Sequence, residues 1–307
     1  MELFQDKTIG VLMGGLSSER AVSLASGKAV LQAIRGKGLN AVAIDVDDDI
    51  THTLEREGID LAFIALHGSY GEDGTIQGLL EYLKIPYTGS GVLSSALAFN
   101  KVASKAIFKA EGIPTAEFRT LRRGEDVPST CPVSLPAVAK PSDEGSSIGV
   151  TVVREPEQWP GALKEAFLHS EEILTEEFIS GKLLAIGIDG EHPLPIVHII
   201  PRSGFYDYEA KYTPGKTDYH CPADLTEEET RRCQDVSVKV FQVLKARGMA
   251  RVDVILDLEG TPKVLELNTI PGLTPTSLLP KAAQQAGMEF SDMILKMLKQ
   301  ARLDYTV

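Results

Sequence analysis

The chain has 307 residues, enough for two or three domains, and its 43% hydrophobic and 24% charged content is that of an ordinary globular protein. A formal net charge of −12 with no basic run makes nucleic acid and anionic membrane poor partners, so any anionic substrate must be met by local positive groups. No stretch approaches a transmembrane span, the start MELFQDKTIGVLMGG lacks the basic lead of a secretory signal, and the scattered Cys131, Cys221 and Cys233 suit a reducing cytoplasm.

From the N-terminus, residues 8–13 form a buried-strand run ending in Gly14-Gly15. Ser17 or Ser18 is placed to cap the helix ERAVSLASGKAVLQAIRG, which Gly36 and Gly38 stop. Residues 41–46 and 60–66 read as further strands, with a helical piece around Leu54 between them. That alternation indicates a parallel, doubly wound sheet. The first glycine turn is not GxGxxG, so a dinucleotide site, and with it a nicotinamide dehydrogenase, has little support. Polar residues crowd the strand ends instead: Glu19 after the first, and His67 with Glu72 in HGSYGEDG after the third. Ligands of open α/β sheets collect there. A histidine like His67 alone is more often structural; beside Glu72 in a glycine-rich turn it is a candidate site residue.

After Gly89-Ser90-Gly91 a single helix, VLSSALAFNKVASKAIFKAEG, carries Lys101 and Lys105 one turn apart, on what is usually a solvated face. Residues 136–140 form a strand ending in Lys140, followed by PSDEGSSIG and a second strand at 150–153. A glycine-serine tip offers free backbone N–H groups and hydroxyls to phosphate oxygens, although it is not a Walker loop. Strands come next at 173–179, 185–188 and 194–200. Residues 203–225 have no clear periodicity yet hold four tyrosines and a phenylalanine, which favours a lid over disorder. Thr226 and Glu229 form a capping box for the next helix, where Cys233 falls on an apolar stripe with Val236, Val240 and Val243. Residues 289–302 form an amphipathic helix whose Met and Leu are core.

The segment from Arg251 to Leu278 organises the rest. It reads as two strands, RVDVILD and KVLELN, joined by a loop at 258–261 with Gly260 supplying a positive φ. This register sets Asp253 opposite Glu266 and Arg251 opposite Asn268, with Val264 sharing the polar face and Leu265 in the apolar layer beneath. Two opposed carboxylates repel. A divalent cation removes that repulsion, and Asp253, Glu266 and Asn268 offer the oxygen donors that Mg²⁺ takes together with substrate phosphates. A carboxylate pair alone is more often a solvated hairpin face; Arg251 two residues before Asp253, and PGLTPTSLL just after Asn268, reverse that in favour of a site.

Together GGLSSERAVSLASG, LHGSYGEDGTIQGLLE, YTGSG, KPSDEGSSIGV, FYDYEAKY, RVDVILD and LELNTIPGLTPTSLLP resemble the D-alanine–D-alanine ligases of the ATP-grasp superfamily, from the first strand to about Gly287. The resemblance implies a mixed α/β (α+β), three-domain ATP-grasp architecture: a Rossmann-like parallel sheet at 1–97, a small central domain at 98–180, and a C-terminal domain at 181–307 with its lid at 203–225. The last two would clasp ATP between antiparallel sheets. It implies that Lys101 and Lys140 hold the α- and β-phosphates under Ser146 and Ser147, with Lys211 from the lid. Glu176, Glu177 and Ile179 would belong to the strand that faces the adenine. Asp253, Glu266 and Asn268 would hold two Mg²⁺ or Mn²⁺ ions. Glu19 would take the first D-alanine's ammonium with His67 nearby, and Tyr212 would be tied to Glu19 through Ser146. Arg251 and the backbone of Gly272 would stabilise the oxyanion, while Ser277 and Leu278 would receive the second D-alanine's carboxylate.

The implied activity is ATP-dependent ligation of two D-alanines through an acyl phosphate, for peptidoglycan precursor synthesis in a bacterial cytoplasm, by a homodimer. Two positions depart from the family pattern. Leu183 stands where a glutamate normally receives the ribose hydroxyls, and Glu177 where lysine is usual. A catalytically inactive nucleotide-binding paralogue and a D-alanine–D-lactate (or D-serine) ligase are the alternatives; Lys211-Tyr212 in the lid disfavours the D-lactate reading.

Overall fold

The computed structural model describes residues 4–305. Strand β1 (Ile9–Gly14), helix α1 (Arg20–Gly36), β2 (Ala41–Val46), α2 (Ile50–Arg56) and β3 (Leu61–Ile64) alternate, and the strands pair in parallel in the order β2-β1-β3. All six residues of β1 are buried, as expected of a strand covered on both faces. The third strand is shorter than the 60–66 expected. Helix α1 begins at Arg20 with Glu19 as its N-cap residue and no side-chain cap, which corrects the expectation for Ser17 or Ser18. Ser17 instead accepts the Glu19 N–H at 3.2 Å and donates to the His67 carbonyl at 2.6 Å, so it holds two site residues together.

Helix α3 (Thr75–Tyr82) leads to α4 (Val92–Phe99) and α5 (Lys101–Ala110), where one continuous helix was expected. The break falls at Asn100, whose backbone is extended and whose side chain accepts the Ala103 N–H at 2.8 Å. An N-cap asparagine satisfies a donor that the helix itself leaves free. The break sets Lys101 on the first turn of α5.

A second sheet is antiparallel. It comprises β4 (Phe118–Arg122), β5 (Ala137–Pro141), β6 (Thr151–Val153) and, after α6 (Trp159–His169), β7 (Glu172–Glu177), in the order β4-β7-β5-β6. Its small core is Ala137, Ala139, Val153, Trp159 and Ala162.

The third sheet takes β8 (Gly181–Asp189), β9 (His192–Pro193) and β10 (Val197–Pro201), then, past α7 (Tyr208–Tyr212), β11 (Thr217–His220). After α8 (Glu227–Val243) come β12 (Met249–Asp257) and β13 (Pro262–Asn268), and the order is β11-β10-β8-β12-β13 with β9 on β8. The stretch 203–225 therefore carries a short helix and an edge strand where no periodicity was legible. Asp207 caps α7 by accepting the Ala210 N–H at 2.8 Å. Thr226 and Glu229 make the expected capping box on α8, and Cys233 is buried beside Val240. Helices α9 (Leu278–Gln285) and α10 (Phe290–Lys299) close the chain.

One apolar cluster joins Val11 and Phe63 of the first sheet to Ala185 and Val197 of the third, through Leu279, Met293 and Met297 of the last two helices. The first and third sheets thus share a core, while the second sheet keeps its own. One cleft lies between that shared block and the second sheet, and another between the first and third sheets beneath the tip that joins β5 to β6. Among the described residues no helix is long and apolar enough to cross a membrane.

Candidate functional site

In the β12–β13 hairpin Arg251 faces Asn268 and Asp253 faces Glu266, as the polar pattern predicts. Beyond Asp253 the register slips by one: Val254 pairs with Val264, leaving Leu265 unpaired in a bulge. Two expectations change with it. Val264 is buried with Val254 and Leu267 in the apolar layer, and Leu265 lines the cleft beside Glu266. A bulge sets two residues against one and re-aims the side chains beyond it, so Glu266 keeps its polar neighbours while the strand end stays in the core. The turn at 258–261 has Gly260 at φ +76°, as its geometry requires.

The carboxylates are not left to repel. Arg251 grips Asp253 with two bonds of 2.7 and 2.8 Å, and Lys101 stands 3.6 Å from Glu266. Burial alone would raise the Glu266 carboxyl, but the ammonium groups of Lys101 and Lys211 hold it well below the usual carboxylate range. Among the described residues no three His, Cys, Asp or Glu side chains cluster as a metal site by themselves. Two carboxylates and the Asn268 amide are nevertheless hard oxygen donors in one small area, the set that Mg²⁺ or Mn²⁺ completes with phosphate oxygens and water. The residues fit such an ion.

Two adjoining cavities of about 480 Å³ each flank this hairpin. The first is lined by Glu19, His67, Glu72, Tyr212, Arg251, Asn268, Gly272, Ser277 and Leu278. Glu19 is buried, and its Oε2 has no hydrogen-bond partner. A buried anionic oxygen without a donor is costly unless a ligand supplies one. Its Oε1 accepts from Ser146, whose hydroxyl lies 2.7 Å from that of Tyr212. A Cβ on Gly145 would meet the Glu19 carboxylate, so a side chain there would push that carboxylate aside.

His67 meets the Ser26 hydroxyl at 3.1 Å, and Ser26 accepts the Leu273 N–H at 3.2 Å. Burial, with help from Arg251, pushes His67 down to about 4, so its ring is neutral at pH 7. Glu72 accepts the Gly68 N–H at 2.8 Å; burial and then the Glu19 charge raise its carboxyl far above the usual range. Gly272 approaches Ser277, the N-cap residue of α9, and the Ser277 side chain turns to the Thr274 N–H rather than to its own helix. The first N–H groups of α9 therefore face no side-chain cap, which suits an incoming carboxylate.

The second cavity is lined by Lys140, Ser147, Glu176, Glu177, Ile179, Leu183, Asp253 and Leu265. Ser146 and Ser147 have φ of 50° and 61°, a left-handed pair that bends the tip over the cleft. Ser147 donates to the Tyr206 carbonyl at 3.1 Å, joining the tip to the 203–225 segment. Lys101, Ser146, Lys211 and Glu266 line both cavities.

Each sequence-predicted site residue lines one cavity or both. Sequence reasoning missed Lys105 and Thr115. Lys105, expected on a solvated face, is fully buried, 2.8 Å from Glu176 and 2.5 Å from the Thr115 hydroxyl. Its i+4 spacing from Lys101 was visible; that α5 would be sandwiched between two sheets was not.

The D-ala D-ala ligase C-terminus family model matches residues 107–299, and the D-ala D-ala ligase N-terminus model matches 49–90. The D-alanine–D-alanine ligase of Syntrophotalea carbinolica is 48% identical over 97% of both chains. That of Geobacter sulfurreducens is 49% identical over 96% of this chain and 94% of its own. The crystal structure of Bacillus anthracis D-alanine–D-alanine ligase complexed with ATP superposes with a TM-score of 0.84 at 33% identity, covering 96% of this chain and 97% of that one.

Proposed function

The chain belongs to the D-alanine–D-alanine ligase family, and from that premise we propose that its two cavities carry out ATP-dependent joining of two D-alanines. The observation that carries this reading is the wall the cavities share: Lys101, Ser146, Lys211 and Glu266, with Glu144, Gly145 and Tyr206, face both. A phosphoryl group passing from nucleotide to amino acid must cross there.

In the first half-reaction the carboxylate of the first D-alanine attacks the γ-phosphate of ATP, giving an acyl phosphate and ADP. The orphaned Glu19 oxygen takes the ammonium of that D-alanine and so aims its carboxylate at the shared wall. Lys140 and Lys101 hold the phosphates while the Ser146–Ser147 tip covers them, and Lys211 adds charge from the lid. Asp253, Glu266 and Asn268 would hold Mg²⁺ or Mn²⁺, which neutralises charge on the phosphates when bound.

In the second half-reaction the amine of the second D-alanine attacks the acyl carbon and phosphate leaves. The α9 N-terminus at Ser277 and Leu278 takes its carboxylate. Arg251 and the Gly272 N–H lie where the tetrahedral oxyanion develops, and fixed donors there lower the barrier. The lid, tied to the tip through Tyr212 and Tyr206, keeps water from the acyl phosphate. We assign domains at 1–97, 98–180 and 181–307, a homodimer, and the cytoplasm of a bacterium on the same resemblance.

The test is phosphate release with ATP, Mg²⁺ and D-alanine, run against D-lactate and L-alanine, with the dipeptide identified by mass. Release that depends on D-alanine and yields D-alanyl-D-alanine is the expected result. Release with D-lactate alone as acceptor, or none at all, overturns it. Sedimentation with and without nucleotide checks the dimer.

A further inference from the structure

Lys105 is fully buried in the second turn of α5. Its Nζ lies 2.8 Å from Glu176 Oε2, while Lys140 binds the other oxygen, Oε1. It also donates to the Thr115 hydroxyl at 2.5 Å, and that hydroxyl donates to the Val264 carbonyl at 2.7 Å. A polar chain thus runs Lys140–Glu176–Lys105–Thr115–Val264. It begins in the nucleotide cavity, crosses from the second sheet to the third, and ends next to the bulge that aims Leu265 and Glu266.

Burial pushes the Lys105 ammonium down from its usual range while Glu176 pulls it back up, and packing alone does not explain a lysine here. A buried ammonium is penalised heavily by lost hydration, and apolar side chains of similar volume often replace buried ion pairs without loss of stability. A methionine would fill the same space. The charge does alter Glu176. With burial opposing ionisation, the two lysines still bring this carboxyl down to about 2. Lys105 stands against Oε2 as an ion pair without an aligned hydrogen bond, so the Glu176 carboxylate is shared between two ammonium groups, of which only that of Lys140 lines the cavity.

We propose that Lys105 is a positioning residue for the nucleotide: it fixes Glu176, Glu176 presents Lys140 to the phosphates, and Thr115 locks the arrangement to the metal-carrying hairpin. This rests on the nucleotide reading of the second cavity.

The experiment is a cycle of Lys105→Met and Glu176→Gln in the full chain, with Thr115→Val and Lys140→Met alongside. It reads KM for ATP, KM for D-alanine, kcat, and the rise in Tm that ATP produces. Lys105→Met raises KM for ATP about tenfold or more, the size of one charge-assisted hydrogen bond, and shrinks the ATP-induced rise in Tm. KM for D-alanine moves little. In the Glu176→Gln background the same substitution changes KM for ATP by less than about threefold, because its path to Lys140 is already cut. An equal change in both backgrounds marks a merely structural lysine and overturns the proposal. So does an unchanged KM for ATP in Lys105→Met while Lys140→Met raises it. If Lys140→Met has no effect either, the nucleotide reading itself fails. Should Lys105→Met not fold, Thr115→Val decides: a raised KM for ATP supports the chain, an unchanged one refutes it.

Discussion

Ser146 and Tyr212 meet hydroxyl to hydroxyl at 2.7 Å although 66 positions separate them in sequence, and the same serine donates to Glu19. Three separate parts of the chain therefore close on one point: the tip between β5 and β6, the lid helix α7, and the N-cap of α1. Because Ser146 donates to the carboxylate, Tyr212 is left to donate to Ser146.

That direction ranks two variants. Tyr212→Phe removes a bond between neutral groups, worth about 1 kcal/mol, and should lower kcat/KM several-fold. Ser146→Ala removes a bond to a charged group, worth about 1.5–3 kcal/mol, and should cost about ten- to a hundredfold. Steady-state kinetics and limited proteolysis within 203–225 check both. Wild-type kinetics and unchanged cleavage in Tyr212→Phe would remove the lid from the mechanism.

The hairpin gives the second prediction. Asp253→Asn and Glu266→Gln should each abolish D-alanine-dependent phosphate release at saturating Mg²⁺ while circular dichroism stays native. The sequence suggested that losing one carboxylate would relieve a repulsion. The pairing of Asp253 with Arg251 reverses that: Asp253→Asn leaves a largely buried guanidinium without its anion and should lower the Tm of the metal-free protein. A higher Tm in Asp253→Asn would restore the repulsion argument.

How far the sequence could be read depends on the range of each signal. Alternation within β12 and β13 is local, so the pairing of Asp253 with Glu266 was legible to the residue. The bulge at Leu265 was not, because nothing in KVLELN says where a strand must bend to keep Val264 in the core. The lid hid a short helix and an edge strand, both too short for periodicity to show. Lys105 shows the other limit. Its burial depends on two sheets closing around α5, and no window along the chain contains that fact.

Glu72 provides a pH test. Burial and the Glu19 charge raise its folded-state pKa above the unfolded value, so the folded protein binds the proton more tightly. Between the ordinary carboxylate range and the raised folded value, the unfolded chain holds fewer protons, and stability falls as pH rises. Below the ordinary range both states are protonated and there is no penalty. The nucleotide-free wild type should therefore lose several degrees of Tm from pH 6 to pH 8.5. Glu72→Gln, which cannot ionise, should lose distinctly less. Parallel slopes in the two proteins would show that Glu72 is ionised in the fold already.

Leu183 stands where the resemblance implies a ribose-binding glutamate, and the fold surrounds it with apolar partners. It lies in register with Ile199 on one side and Ile255 on the other, and all three line the second cavity. The neighbouring Lys182 is turned away to the Asp224 carbonyl at 2.8 Å. A carboxylate at position 183 would accept the ribose hydroxyls in bonds worth about 1.5–3 kcal/mol each where water is excluded. Leucine accepts none, and its strand neighbours are apolar. The wild-type enzyme should therefore discriminate weakly between ATP and 2′-deoxy-ATP. Leu183→Glu should lower KM for ATP more than for the deoxy nucleotide and leave kcat unchanged, because ribose contacts are the same in ground and transition states. Measuring KM for both nucleotides in both proteins decides it. Strong rejection of 2′-deoxy-ATP by the wild type would mean that another group, such as a main-chain carbonyl, already takes the hydroxyls, and Leu183→Glu would then gain nothing.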